Sequence, residues 1–201
     1  MLKEEVDLFL SEVRTFMRDF KIKEVMEQTG NNIKIVEPKK SLFSFLWKGN
    51  KTKDQLNELG GILTGSRALS LYRFNGEPII SRKPQDWDYL LDKRSFMKFC
   101  GLNNLTNLKY EHDRITLNLV TGIYTYNAGY GTDDPRYLFR YDFDIIAKEQ
   151  MPIYFQVGNY KVSTLESIIE EKIKMIEKEG RSGKHLTDLI QIMSKIEAYG
   201  K

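Results

Sequence analysis

The chain has 201 residues, 41% of them hydrophobic and 12% aromatic, which is enough for one well-packed domain with a helical appendage but not for two independent cores. Its 31 basic and 28 acidic residues leave a net charge of +3, which permits a nucleic-acid partner without arguing for one. A single cysteine excludes an intramolecular disulfide, and two histidines give almost no support for a zinc site or a histidine nucleophile.

The first quarter of the chain is predicted to hold one regular helix followed by an irregular segment. Apolar residues recur at helical spacing over Leu2–Phe20, and Ile33–Val36 is a possible short strand. Residues 39–53 interleave lysines with Phe and Trp, a pattern that suits a strand of RNA or DNA and equally a partly buried flap. The opening residues are too acidic for a secretory signal, and no apolar run is long enough to span a membrane. We therefore expect a cytoplasmic protein with no membrane partner.

The next segment ends an apolar run in a glycine–serine turn. After a short predicted helix, Asp54–Leu59, the chain reads Gly-Gly-Ile-Leu-Thr-Gly-Ser. Gly65 lets the backbone turn tightly and approach a phosphate, while Ser66 and the amides that open the predicted helix from Arg67 to Phe74 donate to phosphate oxygens. The pattern predicts a cradle that holds negative charge without a base or a covalent nucleophile.

A second apolar run begins with two aspartates, twenty residues after Ser66. Strand alternation sends Asp86 and Asp88 to one face and the intervening Trp87 to the other, so both carboxylates can share Mg²⁺ or Mn²⁺. Solvated acids in a turn would show the same D-x-D pattern. Its combination with the glycine–serine turn favours a metal site that faces a phosphate cradle, which is what a nucleotidyl-transfer centre requires.

The middle of the chain is predicted to continue the sheet. The expected elements are a helix at Arg94–Phe99, a hairpin from Ile115–Val120 and Gly122–Tyr130, and strands at Tyr137–Lys148 and Tyr154–Lys161. On the first of these two strands Asp142 and Asp144 point the same way, and either can orient or deprotonate an attacking hydroxyl. Asp144 is favoured because it lies deeper in the apolar run. Alternatively, the two acids form the solvent face of an edge strand.

The C-terminal part is predicted to be two amphipathic helices. In Leu165–Lys178, Lys172 falls within the apolar stripe, where a lysine must snorkel, pair with a buried acid or reach a ligand anion. The last helix opens at Lys184, and His185 is interpreted as a packing histidine. Lys184 and Asp188 either cap and solvate this helix or take part in binding. The predicted apolar stripe of the last helix is Leu186, Leu189, Ile190, Met193 and Ile196.

Together these residues resemble the nucleotidyltransferase superfamily of DNA polymerase β, whose signature is GG-x-x-x-GS, a helix, and then D-x-D on the next strand. The sub-pattern G-S-R-A-L, then Arg82, then P-Q-D-W-D-Y is most similar to small stand-alone members from bacteriophages and large viruses, and more loosely to abortive-infection nucleotidyltransferase toxins. One departure is Phe74–Pro84, which lengthens the gap before D-x-D without removing any ligand type. The positions that match the signature are Gly60, Gly61, Gly65, Ser66, Asp86 and Asp88.

The resemblance implies further site residues. It requires a third carboxylate, supplied here by Asp144 or Asp142. In the related toxins a lysine on a comparable helix touches the triphosphate, which points to Lys172, and the K-H-x-x-D pattern from Lys184 resembles their K/R-D-x-x-D element. The expected metal ligands are Asp86, Asp88 and Asp144. The expected nucleotide-binding residues are Gly65, Ser66, Arg67, Arg82, Lys172 and Lys184.

The sequence therefore predicts an α+β fold: a nucleotidyltransferase-like mixed sheet flanked by helices, with a helical C-terminal part. We expect an N-terminal segment at 1–53, the core at 54–161, and C-terminal helices packed on that core at 162–201. The expected function is Mg²⁺-dependent transfer of NMP from an NTP to a hydroxyl of a tRNA or RNA end, a protein or a small molecule, with release of pyrophosphate. Two alternatives stay open. One is a catalytically inactive nucleotide- or partner-binding module, such as a phage factor that sequesters a host molecule, and the other is an RNA-binding protein.

Overall fold

The structure, a computed structural model of the chain, describes residues 3–19, 33–37, 48–105, 113–119, 123–127, 142–179 and 183–197. These residues form six helices and ten strands in two sheets, so the predicted α+β class is confirmed. The helices are α1 (Lys3–Asp19), α2 (Lys48–Glu58), α3 (Gly65–Leu69), α4 (Lys93–Leu102), α5 (Leu165–Glu179) and α6 (Lys184–Glu197). The strands are β1 (Ile33–Ile35), β2 (Ile62–Thr64), β3 (Tyr72–Phe74), β4 (Glu77–Pro78), β5 (Trp87–Asp92), β6 (Arg114–Asn118), β7 (Ile123–Asn127), β8 (Phe143–Lys148), β9 (Tyr154–Val157) and β10 (Tyr160–Ser163).

The chain divides into two compact units that are discontinuous in sequence. We call Glu37–Ala68 with Pro84–Ser163 the sheet unit, and Met1–Val36 with Leu69–Lys83 and Thr164–Lys201 the helical unit. The segments predicted from the sequence, 1–53, 54–161 and 162–201, are consecutive divisions of the chain. Most of the predicted basic and aromatic segment, residues 38–47, lies outside the described residues. Among the described helices, none combines the length and apolar character needed to cross a bilayer.

The sheet unit is built on a mixed sheet of seven strands, in the order β7-β6-β8-β5-β2-β10-β9. The pairs β5 with β8 and β2 with β10 run parallel, and the other neighbouring strands are antiparallel. The two central strands are the most apolar part, with Tyr89, Leu90 and Ile145 fully buried. At the end of β5, the Asp92 carboxylate accepts a hydrogen bond from the Ser95 backbone N–H at 2.9 Å and caps α4. The predicted hairpin is confirmed as β6 and β7.

The helical unit combines the three helices α1, α5 and α6 with a three-stranded antiparallel sheet in the order β1-β3-β4. The predicted apolar stripe of α5 is confirmed, because Lys172 and all members of the stripe are buried: Leu165, Ile168, Ile169, Ile173 and Ile176. In α6 the stripe is partly wrong, since Ile190 is 36% exposed and Ile192 is fully buried. Helical geometry explains the difference, because Ile192 follows Leu189 by three residues and lies on the same face.

The helix predicted over Arg67–Phe74 is wrong beyond its first turn. The helix α3 ends at Leu69, and the chain then forms a β-hairpin from β3 and β4. Asn75 and Gly76 make the two-residue turn, and both have positive φ angles, 49° and 85°. An Asn-Gly pair with two positive φ angles is typical of the tight turn that matches strand twist. The inserted segment before D-x-D is therefore strand and turn.

The single strand predicted over Tyr154–Lys161 is also wrong, because the segment is a second hairpin. Strands β9 and β10 pair antiparallel, with Val157 opposite Tyr160. The turn between them is Gly158-Asn159, and Gly158 has a φ of 58°, which favours glycine. The other predicted elements differ from the structure mainly at their ends: α2 begins six residues before Asp54, and the described part of the 137–148 strand begins at Phe143.

Candidate active site

The Gly60-Gly61 pair of the signature ends helix α2. The Gly61 backbone N–H donates to the Leu56 carbonyl at 2.8 Å, and the Gly60 N–H donates to the Asn57 carbonyl at 3.0 Å. This is the hydrogen-bond pattern of a Schellman motif, which needs a left-handed residue, and Gly60 has a φ of 80°. These two glycines direct the chain from α2 into β2, and their role in the described structure is to shape the backbone.

Gly65 lies against the carboxylate of Asp88. It has a φ of 65°, and a Cβ atom at this position would lie 2.9 Å from the Asp88 Cγ atom and 3.2 Å from its Cβ atom. Real Cβ atoms essentially never approach another heavy atom within 3.0 Å. Glycine is therefore required here for two reasons, the backbone conformation and the space that Asp88 occupies. The glycine–serine turn and the second aspartate of the D-x-D motif therefore lie next to each other.

A row of polar residues crosses the centre of the apolar sheet. The strand register pairs Thr64 with Asp88, Asp88 with Asp144, and Asp144 with Thr116, so the four side chains share one face on four adjacent strands. Three of them are buried: Thr64 and Asp144 are 3% exposed, and Thr116 is 9% exposed. The next row, on the opposite face, consists of Leu63, Tyr89, Ile145 and Ile115. The row places two carboxylates, Asp88 and Asp144, side by side within an otherwise apolar sheet, so it is the candidate site.

The register separates the two candidates for the third carboxylate. Asp144 lies directly beside Asp88 on the neighbouring parallel strand. Asp142 precedes β8, and its carboxylate accepts a hydrogen bond from the Leu119 backbone N–H at 2.9 Å. Its own backbone N–H donates to the Leu117 carbonyl at 2.9 Å. Asp142 therefore bonds to the end of β6, and Asp144 is the residue that the sheet brings to Asp88. The alternative of a solvated edge strand is wrong for Asp144, because β8 lies inside the sheet.

Asp144 is paired with a buried arginine that the sequence analysis did not single out. The Arg114 Nε donates to one carboxylate oxygen of Asp144 at 2.7 Å, and its Nη2 donates to the other oxygen. The two side chains are 10% and 4% exposed. Such a two-pronged contact is the strongest form of a carboxylate–guanidinium pair. Arg114 stands at the start of an apolar strand, which is the sequence signal for a buried arginine. Its partner could not be identified from that signal, because Asp144 is 30 residues away.

Asp86 and Arg67 lie at the N-terminal end of strand β5. Asp86 immediately precedes the strand, and the Arg67 Nε donates to its backbone carbonyl at 3.3 Å. The Arg67 guanidinium also lies 4.6 Å from the centre of the Trp87 ring, and the Lys53 ammonium lies at the same distance from that ring. Both are cation–π contacts.

The two cations on the Trp87 ring are partly desolvated. Burial is the main cause that lowers the pKa of Arg67, while the charges of Asp86 and Asp88 oppose that shift. Burial also lowers the pKa of Lys53, and the Arg67 charge adds to the effect. Lys53 ends the basic and aromatic segment 39–53, whose pattern indicated a nucleic-acid strand or a flap and not this contact with Trp87.

The other expected nucleotide contacts belong to the helical unit. The Lys172 Nζ donates to a carboxylate oxygen of Asp188 at 2.7 Å, and Arg82 donates to both oxygens at 2.6 and 2.7 Å. Asp188 is fully buried, so the interpretation that it caps and solvates α6 is wrong. Of the three options for Lys172, the structure shows the pairing with a buried acid. Lys184 is exposed at the first position of α6.

His185 lies beside this cluster. Burial, followed by the charges of Lys172 and Lys184, lowers the pKa of His185 to about 4. The side chain is half-buried, as expected for a packing histidine at the border of the apolar stripe. At neutral pH the imidazole is therefore uncharged.

Three carboxylates were predicted to bind Mg²⁺: those of Asp86, Asp88 and Asp144. Asp86 and Asp88 offer the hard oxygen ligands that this ion prefers. Both carboxylate oxygens of Asp144 accept hydrogen bonds from Arg114, and within the described ranges no group of three or more His, Cys, Asp or Glu is arranged to hold a metal ion.

No protein-family model matches the chain, and no curated protein matches it either.

Proposed function

We propose that the protein is a nucleotidyltransferase that moves an NMP group from an NTP to a hydroxyl acceptor and releases pyrophosphate. One observation carries the proposal: the glycine–serine turn at Gly65 touches Asp88, and Asp144 is the register partner of Asp88 on the next parallel strand. A turn that can approach phosphate and two adjacent carboxylates are the elements that in-line transfer at phosphorus needs. The resemblance to the DNA polymerase β superfamily supports the same reaction.

In this proposal each residue acts mainly through position and charge. The Gly65 backbone and the Ser66 hydroxyl bind the phosphate oxygens, and the small exposure of Ser66, 6%, restricts it to a group that packs directly on the turn. Asp86 and Asp88 would hold a divalent cation, which supplies charge neutralisation for the phosphates. Asp144 accepts a hydrogen bond from the acceptor hydroxyl and orients it.

Three further residues stay candidates for triphosphate contacts. Lys172 and Arg82 both donate to the Asp188 carboxylate, and the resemblance is what assigns them to the triphosphate. Lys184 is exposed and lies at the start of the same helix as Asp188. The acceptor is a tRNA or RNA end, a protein side chain or a small molecule, and the proposal does not depend on which.

A second candidate is a binding module that uses the same residues without turnover. The observation that favours it is that Arg114 donates to both carboxylate oxygens of Asp144, which leaves two of the three expected carboxylates for a metal site. Such a module would bind nucleotide and transfer nothing.

The two functions are separated by a transfer assay with a matched control. The protein is incubated with NTPs labelled at the α-phosphate, Mg²⁺ and cell extract, and label on the acceptor is measured. Asp88→Asn should reduce transfer on the order of 100-fold or more. Asp92→Asn is the control, because it removes a carboxylate from the same strand and keeps a side chain that can cap α4. Equal transfer by both variants would refute the proposal, and nucleotide binding with no transfer would favour the binding module.

A further inference from the structure

Arg114 and Asp144 are held together by the sheet itself. In the register of β6 and β8, Arg114 lies opposite Ile146 and Asp144 lies opposite Thr116. The two residues are therefore diagonal neighbours on one face, within reach of a long side chain. Because both are anchored on strands of the same sheet, their approach is set by strand pairing.

The pair leaves Asp144 with little capacity for a cation. Each carboxylate oxygen accepts a hydrogen bond from the guanidinium, through Nε and Nη2. The side chains are 10% and 4% exposed, so water screens their charges weakly. A divalent ion that binds to Asp144 would stand close to a fixed positive charge in this weakly screened environment, and the two cations would repel each other.

We propose that Arg114 is a fixed counter-ion that excludes Asp144 from divalent-cation binding, so that Asp86 and Asp88 alone bind the cation. The proposal rests on the proposed function and deepens it, since it assigns Asp144 to the acceptor and makes Arg114 a positioning residue. Arg114 neutralises Asp144 and fixes the orientation of its carboxylate.

The test measures Mn²⁺ affinity of the full chain without nucleotide, by electron paramagnetic resonance of the free ion. Asp88→Asn should weaken binding on the order of 10- to 100-fold. Asp144→Asn leaves the Arg114 charge uncompensated near Asp88, so it should weaken binding by repulsion, but less than Asp88→Asn does. Arg114→Met should strengthen binding about tenfold, because it releases a third carboxylate next to the other two. The double variant Arg114→Met/Asp144→Asn should lose that gain.

Two results would overturn the proposal. One is an equal loss of Mn²⁺ affinity in Asp144→Asn and Asp88→Asn, which would make Asp144 a ligand despite Arg114. The other is a gain in Mn²⁺ affinity in Arg114→Met that persists in the double variant, because the effect would then not pass through Asp144.

If Arg114→Met does not fold, Arg114→Lys takes its place. It keeps the charge without the two-pronged contact, and a smaller gain than tenfold that depends on Asp144 is expected.

The proposal and the proposed function can fail separately. Absence of NTP transfer by the wild-type protein, together with the expected order of Mn²⁺ affinities, would refute the proposed function and retain the role of Arg114. Normal transfer by the wild-type protein, together with an equal loss of Mn²⁺ binding in Asp144→Asn and Asp88→Asn, would retain the function and refute the role of Arg114.

Discussion

Gly65→Ala tests the contact between the glycine–serine turn and Asp88. Two costs combine at this position. A left-handed conformation costs an alanine about 1–2 kcal/mol, and the new methyl group, at 2.9 Å from the Asp88 Cγ atom, adds an overpacking cost of about 1–3 kcal/mol. The expected loss in the free energy of unfolding is therefore about 2–5 kcal/mol, measured by urea denaturation.

Gly60→Ala is the matched control for the steric part of the loss in stability caused by Gly65→Ala. Gly60 lies in the same unit with a similar φ of 80°, and its Cβ position contacts only the flexible end of Lys161, at 3.4 Å. This variant should lose only the conformational cost, about 1–2 kcal/mol. Addition of Asp88→Ala should recover part of the loss in Gly65→Ala and none of the loss in Gly60→Ala. Equal destabilisation by Gly65→Ala and Gly60→Ala, with no recovery, would refute the contact.

Three further predictions concern buried ionisable groups. Asp188→Asn removes the carboxylate that Lys172 and Arg82 share, and it should lower the free energy of unfolding by about 3–5 kcal/mol. Lys172→Met should cost less, because Arg82 still pairs with Asp188. A larger loss of stability in Lys172→Met than in Asp188→Asn would contradict this geometry. The pKa of His185 is about 4, below its ordinary value of 6.5, so the unfolded chain binds the extra proton first, and stability should fall as the pH drops from 6.5 towards 4. His185→Gln should flatten that decline in urea titrations at several pH values, and an unchanged slope would disprove the assignment. Burial raises the pKa of the Cys100 thiol to about 11. The thiol should therefore react slowly with Ellman's reagent at pH 8 in the native protein and fast in urea. Equal rates in the two conditions would show that the thiol is accessible in the native protein.

Local patterns predicted those features that depend on neighbours in sequence. Alternation predicted that Asp88 and Trp87 lie on opposite faces of β5, and the Gly-Ser pair indicated the end of β2. The helical wheel identified Lys172 as a buried lysine before any partner was known. The helix expected over Arg67–Phe74 was wrong because Asn75-Gly76 forms a tight turn, and this pair is a strong short-range indicator of a hairpin.

The features that sequence did not predict depend on pairing between distant segments. Nothing in the sequence fixes which residue stands opposite Asp88, yet the register decides between Asp144 and Asp142. The pairing of Arg114 with Asp144 spans 30 residues, and that of Arg82 with Asp188 spans 106. Both pairs bury charges that composition alone assigns to the surface. The division of the chain into discontinuous units has the same origin, because Leu69–Lys83 pairs with β1 near the N-terminus.

The central claim, transfer of a nucleotidyl group, is tested most directly by the position of the transferred label. Parallel reactions contain the wild-type protein, Mg²⁺, cell extract and the same NTP, labelled at the α-phosphate in one and at the γ-phosphate in the other. Transfer of NMP should label the acceptor only from the α-phosphate and should release the γ-label as pyrophosphate. Label on the acceptor from the γ-phosphate, or from neither position while nucleotide still binds, would contradict the claim.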